Sequence, residues 1–301
     1  MLVQALASPS ARLENRIART VALLERRGYA VAPARLGEVC AGGRIPEQAV
    51  LEAVAGHPEL EIQHGMVVRR GSPCALASAE RARTHSTSSA AYLRETIRFV
   101  RTLVRLNPYI RAVSIAGSLA SGGFRDSDDV DLNLVVEDGR RHVAYVALNL
   151  LGMAHALRHR RKPVDTHSTR PLAPRLMTAN LVLERSQCFP LERQDEDMAY
   201  ELLAAEPVHG RPLWREIVTA NPGLVEHFPQ LDRRPAPWAV DTATALPCWL
   251  FPRLLDRPSR HLGSAAWRYM QWTRRKRPEA LARVAYVRET MRPYALFDDP
   301  P

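Results

Sequence analysis

Apolar residues recur at helical spacing between Leu13 and Arg27, at Ile17, Val21, Leu23 and Leu24, and Gly28 follows as a stop. Two shorter helical stretches follow, Pro33 to about Ala41 and Pro46 to Gly56. Leu60 to Gln63, the turn His64-Gly65 and Met66 to Arg70 read as a two-stranded hairpin. Gly71-Ser72-Pro73 closes this unit, and a long helix is expected from about Ala75 to Leu106, with the Ser-rich stretch Ser86 to Ser89 as a candidate kink. Asn107-Pro108 ends that helix, because the residue before proline is biased out of the helical region.

The pattern then changes period. Ile110 to Ala116 reads as a buried strand, Gly117 to Ser121 as a short helix stopped by Gly122-Gly123, Phe124 to Asp128 as loop and Asp129 to Val136 as a second strand. After the turn Glu137-Asp138-Gly139 a helix is expected from about Arg140 to Arg158, then the basic turn His159 to Pro163 and a third strand from Met177 to Leu183. Asp195 to Ala204 and Leu213 to Thr219 read as helices. Pro222, Pro229, Pro235 and Pro237 mark a loop region, and Trp238 to about Ala295 reads as helices broken by Pro247, Pro252, Pro258 and Pro278. Four segments result: 1–72, a connecting helix 73–106, a core 107–235 and a helical region 236–301. The class is α+β, with a mixed sheet in the core.

The chemistry concentrates between the first two strands of the core. Gly117-Ser118 closes one apolar run and Asp129-Val130-Asp131 opens the next. Strand side chains alternate faces, so Asp129 and Asp131 project from the same side. Paired carboxylates suit Mg²⁺, which binds through one or two carboxylates and substrate phosphates. A Gly-Ser turn offers backbone N–H groups and a hydroxyl to a phosphate. The combination points to a metal-bound nucleoside triphosphate.

Composition sharpens this picture only slightly. The 301 residues are 46% hydrophobic and 25% charged, ordinary for a globular chain with room for two or three small domains. No apolar run reaches membrane-spanning length and the first residues lack a basic leader, so a cytoplasmic protein with no membrane partner is expected. Net charge is +10, carried almost wholly by Arg, with only Lys162 and Lys276 as lysines. A polyanionic ligand fits this balance, although GC-rich codons enrich Arg, Ala and Pro as well. The four cysteines, Cys40, Cys74, Cys188 and Cys248, are too scattered for a disulfide framework or a zinc site. His155 and His159 have i, i+4 spacing but no third ligand, and read as a polar helix end. Arg274, Arg275, Lys276 and Arg277 form the densest basic run, read as a solvated helix face, and Trp249, Trp267, Tyr269 and Trp272 read as core.

Gly117-Ser118 followed by Asp129-Val130-Asp131 and alternating apolar residues resembles the nucleotidyltransferase superfamily of polymerase-β type. From about Leu13 to Phe228 the chain is similar to a group of bacterial nucleotidyltransferases with an N-terminal winged-helix module. The likeness includes Asn107-Pro108, Asn180, then Ala199, Glu201 and Leu202, then Pro207, Gly210, Ala220 and Asn221. The resemblance implies a polymerase-β-like nucleotidyltransferase core, a winged helix over 1–72 and a C-terminal helical region. It implies that Gly117 and Ser118 hold phosphates, that Asp129 and Asp131 bind two Mg²⁺ ions, and that a nucleoside triphosphate, ATP by default, is the donor. The third carboxylate of the superfamily is here Asn180, a neutral amide that can ligate or orient but cannot take a proton from a hydroxyl. Asp165, Glu184, Asp126, Asp128 or a carboxyl of the acceptor stand as replacements. Arg125, in the loop before the carboxylates, is a phosphate-binding candidate. Related sequences carry a basic residue about one turn into the helix after the second strand; here Arg140 and Arg141 stand at its start and Tyr145 a turn later, a departure from that pattern.

The expected function is transfer of a nucleoside monophosphate to a small molecule, a protein or an RNA. The alternative is a catalytically degenerate, nucleotide-sensing or scaffolding protein whose winged helix engages DNA or a protein. The segment Gln48 to Gly56 lacks the Arg row of a DNA-reading helix, which favours a protein contact. RNA tailing is a third reading, and it would depend on Arg274 to Arg277.

Overall fold

The structure, a computed structural model, describes residues 9–158, 177–233 and 245–274, with 278, 281, 282 and 285. Among these the chain is α+β. Helix α1 (Pro9–Arg26) buries Ile17, Val21, Leu23 and Leu24, the stripe expected from the sequence, against α2 (Pro33–Glu38) and α3 (Glu47–Gly56). Strands β1 (Leu60–Gln63) and β2 (Met66–Arg69) pair antiparallel, and Val31 bridges to Val67. Helix α2 stops three residues short of its expected end.

Helix α4 (Cys74–Leu106) runs unbroken through the Ser-rich stretch. There the Ser86 and Thr87 hydroxyls donate to the carbonyls of Arg83 and Thr84, which satisfies them without a kink. Its later face, Phe99, Val100, Leu103 and Val104, packs on a four-stranded sheet of order β5-β4-β3-β6. Strand β3 (Ile110–Ala116) is antiparallel to both β4 (Val130–Val136) and β6 (Glu206–His209), and β4 is parallel to β5 (Met177–Glu184). The sheet is therefore mixed.

Its two faces differ. Val113, Ile115, Leu132, Leu134 and Val182 join α4 and α6 (Arg141–Arg158) in one apolar cluster. Ala112, Val135, Leu181 and Leu183 belong to a second cluster with α7 (Glu196–Ala204), α8 (Arg211–Ala220) and α9 (Pro222–His227), which also takes in the buried stripes of α1 to α3. Full burial of each such aliphatic side chain stabilises by about 1.5–3 kcal/mol.

Further expectations fail, and one strand is new. Pro222 opens α9 rather than a loop, because at the first helical position its missing N–H costs nothing. Strand β6 is an addition: four residues containing Pro207 carry little strand signal, and an edge is where proline is tolerated. Gly210 after it has φ +68°, and a Cβ there would lie 2.1 Å from the Arg111 carbonyl oxygen, so only glycine lets this turn press onto β3. Of the C-terminal aromatics expected in a core, Trp267 and Tyr269 are half-buried and two are exposed. Trp249 is 76% exposed and Trp272 43%, the latter stacked on Tyr269. Trp249 lies on a single 3₁₀ turn and Trp272 in the last turn of α10 (Asp256–Arg274). Pro258 lies in the first turn of α10 and does not break it. No helix of the described residues is long and apolar enough to cross a membrane.

Candidate active site

The β3–α5–β4 turn builds the centre of the site. Ala116 is the last residue of β3, and Gly117 begins α5 (Gly117–Ser121) with φ +61°. Ala116 pairs in register with Asp131 on β4. A Cβ on Gly117 would lie 2.1 Å from Asp131 Oδ2 and 2.9 Å from its Cγ, so the carboxylate occupies the space a side chain would take. Glycine is required twice here, for the left-handed backbone and for the close approach. Ser118 follows in the first turn of the helix, half-buried.

Asp129 directly precedes β4 and Asp131 is its second residue. Val130 between them is fully buried in the α4-facing cluster, whereas both aspartates are half-buried. Val130 and Asp131 thus point to opposite faces, as strand alternation requires, while Asp129, expected to open the strand, lies just before it. Thr178 on β5, in register with Asp131, donates its hydroxyl to Asp131 Oδ1 at 3.0 Å.

Beyond Thr178 the sheet departs from simple alternation. The register slips between Leu132 and Asn133, so that Leu132 faces Ala179 but Asn133 faces Leu181. Asn180 is the extra residue of this bulge, and it shares a face with Thr178, Asp131 and Asn133. Its amide nitrogen donates to Asn133 Oδ1 at 2.8 Å and to Glu201 Oε1 at 2.9 Å. Asn133, fully buried, donates to the same Glu201 oxygen at 3.3 Å. The other oxygen of Glu201 takes both terminal nitrogens of Arg27 at 3.1 Å. Arg27 also lies over the Tyr200 ring, whose hydroxyl meets that of Tyr29 at 2.6 Å. Burial raises the pKa of both tyrosines, so this end of the network stays neutral apart from the Arg27–Glu201 pair.

The loop between Gly117 and Asp129 is tied to α4. Arg81 donates to the Gly123 carbonyl at 3.1 Å and to Asp128 Oδ2 at 3.2 Å. The backbone N–H of Arg125 meets the same Asp128 oxygen at 3.1 Å. Phe124 is fully buried against Tyr92, and its N–H donates to His85 Nδ1 at 3.3 Å. Burial lowers the His85 pKa, in keeping with an imidazole nitrogen that must remain unprotonated to accept.

Several sequence candidates are occupied elsewhere. Asp128 is committed to Arg81. Glu184 ends β5, six residues beyond Thr178, about 20 Å along the strand, and lies 4.0 Å from Arg141. Arg140 is buried, stacks over Tyr109 at 4.2 Å and binds Asp256 and the Phe251 carbonyl. It anchors the C-terminal segment rather than facing the aspartates. Asn221 is also structural: its side chain receives Leu191 N–H and donates to the Cys188 and Ile217 carbonyls. His155 lies 3.2 Å from Glu95. Asp165, His159, Arg160, Arg161, Lys162, Arg275, Lys276 and Arg277 lie outside the described residues.

The residues fit a divalent cation of the kind that takes its remaining ligands from substrate. Asp131, packed against Gly117, and Asp129, two residues before it, are half-buried carboxylates of the type such an ion takes. Among the described residues there is no cluster of three or more His, Cys, Asp or Glu. Asp129 and Asp131 would hold the ion. No model of a known family matches the chain, and no curated protein matches it.

Proposed function

We propose that this chain is a Mg²⁺-dependent nucleotidyltransferase with a polymerase-β-like core, moving a nucleoside monophosphate from a triphosphate, ATP by default, to an acceptor. The observation that carries the reading is the contact of Gly117 with the Asp131 carboxylate. It sets the Gly-Ser turn, read here as phosphate-binding, against the strand edge that carries the proposed metal ligand Asp131. In this reading Asp129 and Asp131 hold the metal, whose charge would stabilise the pentavalent α-phosphorus and the leaving oxygen. The N–H groups of Gly117 and Ser118 and the Arg125 guanidinium receive the β- and γ-phosphates. An acceptor oxygen forms the new bond to the α-phosphorus, the bond to the bridging oxygen breaks, and pyrophosphate leaves.

Helices α1 to α3 with the β1–β2 hairpin suit a winged-helix module. The exposed residues of α3 include Glu47, Gln48 and Glu52 and no Arg, which favours a protein partner over DNA. A second reading, nucleotide binding without turnover, is favoured by Asn180, which stands where the superfamily has its third carboxylate.

Incubation with each α-labelled triphosphate and Mg²⁺, with pyrophosphate release and label transfer to cell extract as readouts, separates the two. Transfer that Asp131→Asn abolishes supports the enzyme. Metal-dependent binding without pyrophosphate release supports the sensor. Neither binding nor release by the folded protein removes both.

A further inference from the structure

The position of Glu201 suggests a role for a residue that the site would otherwise leave to packing. We infer that Glu201, held by Arg27, is a positioning residue that fixes the amide of Asn180 so that its oxygen serves as a neutral third oxygen ligand for the divalent cation. The inference rests on the proposed metal-dependent reading of the site.

An ion-paired carboxylate only accepts, so the Asn180 atom 2.9 Å from Glu201 Oε1 must be the amide nitrogen. Asn133 meets the same oxygen at 3.3 Å, so it too must present its nitrogen there and its oxygen to Asn180. Both N–H groups of Asn180 are thereby spent, one on Asn133 and one on Glu201. The side chain has only its carbonyl oxygen left to turn toward a ligand. An amide free to flip would offer oxygen and nitrogen in turn, and a nitrogen carrying two protons cannot ligate a cation.

Placement supports the same conclusion. The bulge puts Asn180 on the face of Thr178 and Asp131, two residues along the strand from Thr178. Glu201 is not itself the missing carboxylate: one oxygen is taken by Arg27 and the other by two amides. Arg27 closes the chain from the end of α1, with its side chain 12% exposed, as is that of Glu201. The cation would therefore be held by two carboxylates and one neutral oxygen rather than by three carboxylates.

The test uses Mn²⁺ as a paramagnetic probe of the full-length protein without nucleotide, read by its spin-resonance signal, together with urea unfolding in a chelator. Asn180→Asp keeps an oxygen at the ligating position, adds a charge, and removes the N–H donated to Glu201. The expected outcome is a split: Mn²⁺ affinity rises three-fold or more while the metal-free protein becomes easier to unfold. Glu201→Gln, which can donate as well as accept, frees the amide, and Mn²⁺ affinity should fall at least three-fold in a sample with native circular dichroism. If Asn180→Asp weakens Mn²⁺ binding or leaves it unchanged, the amide oxygen is not a ligand and the inference is overturned, whether or not Glu201→Gln folds. If Glu201→Gln is folded and binds Mn²⁺ as wild type does, Glu201 does not position the ligand. Wild-type protein that binds no Mn²⁺, or binds it equally well after Asp131→Asn, overturns the metal-dependent reading and the inference with it. Loss in Asp131→Asn alone, with both other variants unaffected, overturns only the inference.

Discussion

Replacing Gly117 by alanine tests the contact on which the site is built. Two costs are expected. The left-handed backbone at φ +61° costs an L-residue roughly 1–2 kcal/mol. The new Cβ, 2.1 Å from Asp131 Oδ2, forces the carboxylate aside. That movement breaks the 3.0 Å hydrogen bond from Thr178, a bond to a charged group worth roughly 1.5–3 kcal/mol. Gly117→Ala should therefore destabilise by about 3–4 kcal/mol in urea unfolding followed by circular dichroism. Asp131→Ala removes the obstructing carboxylate and leaves only its Cβ, 3.1 Å away, so in that background the same change should cost little beyond the backbone part of about 1–2 kcal/mol. The double-mutant cycle should show coupling of roughly 1–3 kcal/mol. Equal costs in the two backgrounds, within about 0.5 kcal/mol, would refute the proximity of the glycine turn and the strand edge.

Two further outcomes follow from the parts around the site. Arg140→Ala removes a buried guanidinium that holds Asp256, the Phe251 carbonyl and the Tyr109 ring, so it should destabilise by about 2–4 kcal/mol and expose residues 245–274 to limited proteolysis; unchanged cleavage would contradict the anchoring role. His85 has a lowered pKa in the folded protein, so below about pH 6.5 the unfolded chain binds a proton that the fold resists, and stability is lost as pH falls through that range. His209, also lowered by burial, acts with the same sign. The urea midpoint should drop between pH 7.5 and 5.5, and His85→Asn should make that drop smaller; an unaltered pH dependence would show that His85 does not hold the Phe124 loop.

What the sequence made legible was local. The stripe Ile17, Val21, Leu23 and Leu24, the strand Ile110 to Ala116, and the Gly117 turn with Asp129 and Asp131 all depend on neighbours within a few positions, where period and turn chemistry act directly. The rest depended on pairing. Asn180 reaches the face of Asp131 through a bulge, and nothing in a single strand's pattern announces a register slip. Glu201 stood out only as part of a resemblance. Its partner Arg27 is 174 residues away and reads in the sequence as the basic end of a helix. Thr178 and Asn133 carried no signal, because a polar residue on a strand facing helices reads as solvent-exposed until the opposing helix is seen to bring a carboxylate. Strand β6 was hidden by Pro207, and Trp249 and Trp272 misled because large aromatics usually mark a core.

The central claim is that Gly117, Ser118, Asp129 and Asp131 form one site for a metal-bound triphosphate. Equilibrium binding of the four ribonucleoside triphosphates with Mg²⁺, in wild type and in Asp129→Asn/Asp131→Asn, tests it most directly. Binding of at least one triphosphate is expected, requiring Mg²⁺ and lost in the double variant while its fold is retained. Folded wild-type protein that binds none of the four, or a double variant that binds as well as wild type, would contradict it.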